Sequence, residues 1–287
     1  MLNNGSLYFK RTAVHNLIVT KSIPSSNEDI KEGLVIPKNL MKLVDIQPFE
    51  QIIVTRIGGD NWKNRVYSFV IPGQSNDVEA RGSLSYFLNK GDLICIITRG
   101  YIDVESLKFY LANELPVIDF GFNPKEDHGN DISNGRMFLE LYGEKREVKN
   151  IPQAFLSRRA NIKRIVLSSL ITGLKVTETH ESCLQGSAEV PQIIMREGGL
   201  VKYQGVFVHN LSKGGISAET YIVPTAPGVV KSTGAMSKFA KKDEEIAISS
   251  YKITTQITKP IILITKNNVI DRKVKLDRTF NLEEVME

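Results

Sequence analysis

VIPKNLMKLVDIQPFEQIIV at 35–54 and EVPQIIMREGGLVKYQGVFV at 189–208 are one pattern written twice. Pro37 falls over Pro191 and Met41 over Met195, about 154 residues apart. Matches continue in the same order on both sides. Upstream, LIVT ending at Thr20 pairs with LKVT ending at Thr177; downstream, NRVYSFVIP lies over the residues around 217–224 that end in TYIVP. Further on, RGSLSYFLNKGDLICII at 81–97 matches TGAMSKFAKKDEEIAIS at 233–249, with Gly82 over Gly234, Phe87 over Phe239 and Ile94 over Ile246. Finally LPVIDF lies over KPIILI. Five ordered matches whose spacing drifts only between about 144 and 157 residues amount to an internal repeat, so the chain reads as two homologous domains.

Within each repeat the apolar runs are short, rich in valine and isoleucine, and bounded by Gly, Pro, Asn and Asp, which predicts strands. Expected strands include 15–20, 51–57, 65–71 and 93–98, with a short helix after Pro37 and a second from Ser83 to Leu88. A strand-rich unit of about 110 residues suggests a small closed barrel. The stretch FNPKEDHGNDISNGR at 122–136 reads as an exposed connection. The expected layout is an N-terminal barrel over 1–121, a linker over 122–160, a C-terminal barrel over 161–270, and a charged tail over 271–287.

With 287 residues, 41% apolar and 24% charged, the chain has the composition of a folding globular protein. No apolar run is long enough for a membrane helix, and MLNNGSLYFKRTAVHN holds no apolar signal core. The net charge is +5, but the basic clusters (Lys238, Lys241 and Lys242; Arg272, Lys273 and Lys275) are few and interleaved with acids. They read as solvated surface, with no nucleic-acid partner. Cys95 and Cys183 lack metal or redox spacing, the four histidines are scattered, and there is neither a phosphate-binding glycine loop nor a Gly-x-Ser-x-Gly elbow. The expected compartment is the cytoplasm, with no metal.

The motif that carries chemistry is Gly186-Ser187 in CLQGSAEVP. Gly-Ser also occurs at Gly5-Ser6 and Gly82-Ser83, so the dipeptide gains meaning only from its setting. That setting is VT at 176–177, Thr220-Tyr221 in ETYIV, and Gly234-Ala235 after Thr233. In it the chain resembles the pyruvoyl-dependent aspartate alpha-decarboxylases, small double-psi β-barrel enzymes that cut themselves at a Gly-Ser bond. The resemblance covers both repeats and implies a mainly β fold of two tandem double-psi β-barrels with short helices. The two repeats retain different parts of the pattern. In the first, EGLVIP follows Gly33 with Leu34, which has no hydroxyl, and Ser68-Phe69 stands for Thr-Tyr; yet AVHNLIVT supplies His15, and Arg65 falls where the family keeps its carboxylate-binding arginine. The second repeat has Thr172 and Ser217 at those places.

The resemblance implies a role for each of these residues. Ser187 Oγ attacks the Gly186 carbonyl with Thr220 stabilising the oxyanion, and elimination and hydrolysis leave a covalent pyruvoyl group in place of Ser187, with no diffusible cofactor. Its ketone condenses with the substrate amine as a Schiff base, and the adjacent carbonyl accepts electrons as carbon dioxide departs. Arg65 grips the remaining carboxylate, His15 orders that pocket or contacts the leaving carboxylate, Gly234 and Ala235 line it, and Tyr221 delivers the proton. In the family the site lies between neighbouring subunits, so two of these double units are expected to form a homodimer, a pseudo-tetramer of barrels, which a maturation factor could assist. The family's substrate-binding lysine falls on Ala13 and Leu170, its tryptophan on Thr55, its asparagine on Thr233 and its Tyr-Glu pair on Leu184-Gln185. These departures leave the acidic amino acid open: aspartate or a related one. The losses at Ala13 and Leu184 favour the alternative of a non-catalytic double barrel that binds or regulates, and a third reading is hydrolysis or proton transfer by an uncleaved Ser187 on the same barrels.

Overall fold

The structure, a computed structural model, describes residues 6–24, 30, 32–58, 65–103, 117–121, 136–141, 144–149, 162–182, 186–213, 217–256, 258–274 and 276. The first repeat supplies β1 (Ser6–Ile18), β2 (Lys21–Ile23), β3 (Gly33–Pro37), helix α1 (Lys38–Leu43), β4 (Gln51–Ile57), β5 (Arg65–Gly73) and β6 (Glu79–Arg81). A 3-10 turn at Gly82–Tyr86, β7 (Leu93–Asp103), β8 (Val117–Gly121), β9 (Arg136–Leu141) and β10 (Glu144–Val148) follow. The second repeat supplies β11 (Lys163–Lys175), β12 (Glu178–His180), β13 (Ser187–Pro191), α2 (Gln192–Glu197), β14 (Gly205–Asn210), β15 (Ser217–Thr225) and β16 (Lys231–Thr233). It ends with α3 (Met236–Phe239), β17 (Glu245–Thr254), β18 (Ile261–Lys266) and β19 (Val269–Val274).

The strands pair identically in the two repeats. In the first, β1–β7, β7–β4 and β4–β5 are antiparallel, β5–β3 is parallel, β3–β6 antiparallel, and β6–β2 and β1–β8 parallel. The second repeats this with β11, β17, β14, β15, β13, β16, β12 and β18. Even the irregularities match. Register breaks at Lys10/Thr12 and Val14/Leu17 in one and at Leu167/Ser169 and Ile171/Leu174 in the other. Left-handed backbone recurs at Asn16 and Gly173, Asp45 and Gly199, and Phe49 and Tyr203. The fold is mainly β, two tandem double-psi barrels with short helices.

Local chemistry explains the helix starts. Pro37 and Pro191 close β3 and β13 with φ near −54° and −51°, and the next residues wind into α1 and α2, whose Leu40, Met41, Ile194 and Met195 enter the cores. One core fills each barrel, around Val14, Leu40, Ile52 and Ile94 and around Ile171, Ile194, Val208 and Ile248. The expected helix from Ser83 to Leu88 is instead the 3-10 turn. The stretch set down as a linker over 122–160 holds β9 and β10, which extend the first sheet from β8, and the charged tail begins inside β19, with Leu276 buried beyond it. Residues 122–135 and 277–287 lie outside the described part.

A third apolar cluster joins the barrels: Phe49, Phe69 and Ile71 of the first with Val166, Leu167, Leu170 and Ile262 of the second. Backbone bonds cross it, with Glu50 bridged to Val166 and the Leu167 amide donating to Phe49 O at 2.8 Å. Beside it lies a buried ionic cluster. Arg11 of β1 meets Glu50 at 2.5 Å and Asp45 at 2.8 Å, and Arg164 of β11 meets Asp45 at 2.8 Å and Glu50 at 3.2 Å. No helix among the described residues is long and apolar enough to cross a membrane.

Candidate active site

Gly186 and Ser187 sit at the entry to β13, between β15 and β16. Ser187 is in register with Tyr221 on one side and Thr233 on the other. The Thr220 hydroxyl donates to the Gly186 carbonyl oxygen at 2.7 Å. The Ser187 hydroxyl lies 2.7 Å from Thr233 Oγ1, which also accepts the Ser187 amide at 3.2 Å. Thus the carbonyl to be attacked already carries a donor on its oxygen, and the attacking hydroxyl is held by a second one.

Gly186 is backed by the turn at Gly234-Ala235. A Cβ there would lie 3.1 Å from the Met236 amide nitrogen and 3.2 Å from that of Ala235, tighter than ordinary contact. Gly234 is left-handed (φ 55°), its amide donates to His180 O at 2.8 Å, and its carbonyl accepts Ser237 Oγ at 2.7 Å. On this sheet face His180, in register with Thr233, is bonded to Glu178, and Lys231 pairs with Glu178 at 2.9 Å. The hydrogen bond from Lys231, then that from His180, lowers the Glu178 carboxyl below its usual range.

Of the residues singled out in the sequence, Gly186, Ser187, Thr220, Gly234 and Ala235 gather here. Tyr221 stands in register beside Ser187 and is 59% exposed. Arg65 and His15 belong to the other barrel. Arg65, at the start of β5, contacts Tyr67, with its guanidinium 5.9 Å from the ring centre. His15 is half-buried in β1 and paired in register with Gly121. Thr233 was legible only as a departure from the family pattern, yet it holds the serine. His180 was set aside as one of four scattered histidines; its place beside Thr233 follows from the β12–β16 pairing, which no local sequence signal announces.

The first barrel corrects one alignment. Leu34 pairs with Val70 and Gly33 with Arg81, as Ala188 pairs with Ile222 and Ser187 with Thr233. Gly33 therefore occupies the place of Ser187 and Glu32 that of Gly186. The loss of the cleavable pair is a Glu-Gly in place of Gly-Ser. The reason lies in packing: Gly33 has φ 108°, and a Cβ would fall 2.8 Å from the Phe69 ring.

Two barrels of this topology, one bearing a hydroxyl-polarised Gly-Ser bond, define a narrow class. The model of the family described as "Aspartate decarboxylase" matches residues 162–271, the second barrel. Aspartate 1-decarboxylase of Thermoanaerobacter pseudethanolicus is 30% identical over 105 residues, 36% of this chain and 84% of the relative. The enzyme of that name from Ruminiclostridium cellulolyticum is 28% identical over 120 residues, 39% of this chain and 92% of the relative. That of Hydrogenobaculum sp. is 24% identical over 125 residues, covering 42% and 98%. The chain belongs to the aspartate decarboxylase family.

Proposed function

We propose that the protein is a self-processing decarboxylase that removes the alpha-carboxylate of aspartate or a related acidic amino acid, using a pyruvoyl group made from Ser187. The observation that carries this reading is the 2.7 Å bond from Thr220 to the Gly186 carbonyl oxygen. Ser187 Oγ attacks the Gly186 carbonyl carbon, the oxygen takes up charge under the Thr220 donor, and the serine proton leaves through Thr233 Oγ1. The peptide nitrogen gains a proton as its bond to Gly186 breaks, leaving an ester. Elimination frees the Gly186 carboxylate; one water then enters and one ammonia leaves, giving fragments 1–186 and 187–287. The group so formed supplies a ketone for the substrate amine and a neighbouring amide carbonyl that accepts electrons during decarboxylation. Arg65 binds the carboxylate that stays, His15 orders that pocket and Tyr221 returns a proton.

The way the barrels meet within one chain supports a site shared between two chains. The first barrel offers the second its Phe49, Phe69 and Glu32 side, and the second answers with Leu167, Leu170 and Thr172. By the repeat, the matching offer from the second barrel is Tyr203, Tyr221 and Gly186, and the matching answer is the β1 side carrying His15. Phe49 and Phe69 are buried, whereas Tyr203 and Tyr221 are 64% and 59% exposed. A head-to-tail contact of this kind closes when two double barrels form a four-barrel ring, which brings His15 and Arg65 of one chain to Ser187 of the other.

Mass spectrometry of the purified protein under denaturing conditions tests the reading. The expected result is the two fragments, the second reacting with a carbonyl reagent, and carbon dioxide release from an acidic amino acid. Ser187→Ala is expected to stay full-length and inactive. A full-length, reagent-inert wild type with no turnover would overturn the proposal in favour of a non-catalytic barrel pair.

A further inference from the structure

Between the barrels of one chain lies a cavity of about 510 Å³, within the range of small-ligand sites. The first barrel contributes Glu32, Gly82 and Tyr86; the second contributes Thr172, Thr265 and Glu245. Through the repeat this is the place of the Ser187 site: Glu32 stands for Gly186, Gly82 for Gly234, and Thr172 for His15. Its charge is inverted. The arginine that the other site would draw on is represented by Ser217, and a carboxylate has entered where the scissile glycine stood.

Glu32 is 4% exposed. It accepts the Ser83 amide at 2.9 Å and the Ser83 hydroxyl at 2.8 Å, both on Oε2; among the described residues Oε1 has no hydrogen-bond partner, and Glu32 lines the cavity. Glu245 lines the same space. Among the described residues neither carboxylate has a cationic partner, and the Glu245 charge adds to burial in raising the Glu32 carboxyl. Leaving a buried carboxylate uncompensated is unfavourable, and a cation in the cavity removes that penalty. The volume exceeds what a bare ion fills, no cluster of three or more metal-ligating side chains occurs among the described residues, and the lining includes Tyr86, an aromatic residue of the kind that attracts an ammonium. We infer that the cavity between the barrels binds a small protonated amine that carries no carboxylate, with Glu32 and Glu245 receiving its ammonium.

Calorimetric titration of the full chain with n-butylamine at pH 8, where Glu32 is mostly ionised, tests this independently of processing, because uncleaved Ser187→Ala protein is expected to bind as well as wild type. One amine per chain is expected. Glu32→Gln should weaken binding about tenfold or more and Glu245→Gln by a smaller factor, with thermal unfolding of both variants still cooperative. The four-carbon amine with a carboxylate in place of the terminal methyl, 4-aminobutanoate, should bind at least about tenfold less tightly. The inference is overturned if n-butylamine does not bind folded wild type, if Glu32→Gln leaves its affinity unchanged, if 4-aminobutanoate binds equally well, or if calcium displaces it.

Discussion

Replacing Thr220 by valine keeps the outline of the side chain and removes the proton it gives to the Gly186 carbonyl oxygen. Loss of one such donor slows an acyl transfer about 10² to 10³-fold, so Thr220→Val is expected to accumulate full-length chain while Thr220→Ser matures. A time course of fragment appearance checks it. Two other residues set opposing pH dependences. Burial pushes the Glu32 carboxyl up to about 7 from an ordinary 4.5; the folded state then binds this proton more tightly than the unfolded chain, so the contribution grows as pH falls from 7 to 4.5. Burial lowers His209 from 6.5 to about 4; the unfolded chain binds that proton more tightly, so stability is lost as pH falls from 6.5 to 4, a window that overlaps the first. In wild type the two offset each other. Glu32→Gln is expected to raise the melting temperature at pH 8 and to expose the histidine, with a loss of about 2 kcal/mol between pH 7 and 5 in denaturant titrations. At this scale the sequence marked Gly186, Ser187 and Thr220 through the family resemblance, since the Gly-Ser pair alone occurs three times in the chain. It could not mark Glu32, whose burial depends on a barrel placed against it from a distant part of the chain.

Strands β1 and β11 each bend twice, and at the second bend the two repeats use different residues, Asn16 and Gly173. In β11 the space is closed, since a Cβ on Gly173 (φ 78°) would lie 2.2 Å from Thr265 O. Gly228 (φ 75°) has nothing within 4 Å of such an atom. Gly228→Ala therefore meets only the backbone penalty of about 1 kcal/mol, whereas Gly173→Ala must also displace β18 and is expected to cost about 3 kcal/mol or more. Paired melting curves separate them. Elements were legible where apolar alternation was strong: β4 runs over the expected 51–57, and β5 and β7 begin where expected and run longer. The early half of β1 was hidden because Lys10 and Arg11 look like surface residues; Arg11 is buried against Glu50 and Asp45. The β9–β10 hairpin was hidden by mixed periodicity, as its strands extend the sheet from β8.

The molecule as a whole is tied across its two barrels by charge as well as by apolar packing. Removing Glu50 leaves Arg11 and Arg164, two buried cations, to share the one carboxylate of Asp45, so Glu50→Ala is expected to lower stability by about 3 kcal/mol, read from urea unfolding. The repeat, visible in the sequence, makes this contact a template: one barrel's Phe49 side receives the next barrel's β11 side, and the exposed Tyr203 and Tyr221 leave an equivalent seat open at the far end. If a second chain fills that seat, Ser187 and Arg65 of a working site come from different chains, and two defective proteins can repair each other. Arg65→Ala and Ser187→Ala homodimers are each expected to be nearly inactive. Their co-expressed heterodimer has one site with both residues and one with neither. With random pairing about half the dimers are mixed, each with one working site of two, so roughly a quarter of the wild-type rate should return. If the site instead closed within a chain, every chain would lack one residue at its own site and no activity would return at any mixing ratio. Co-expression with two affinity tags, followed by purification through both, isolates the mixed species and fixes its expected rate near half that of wild type.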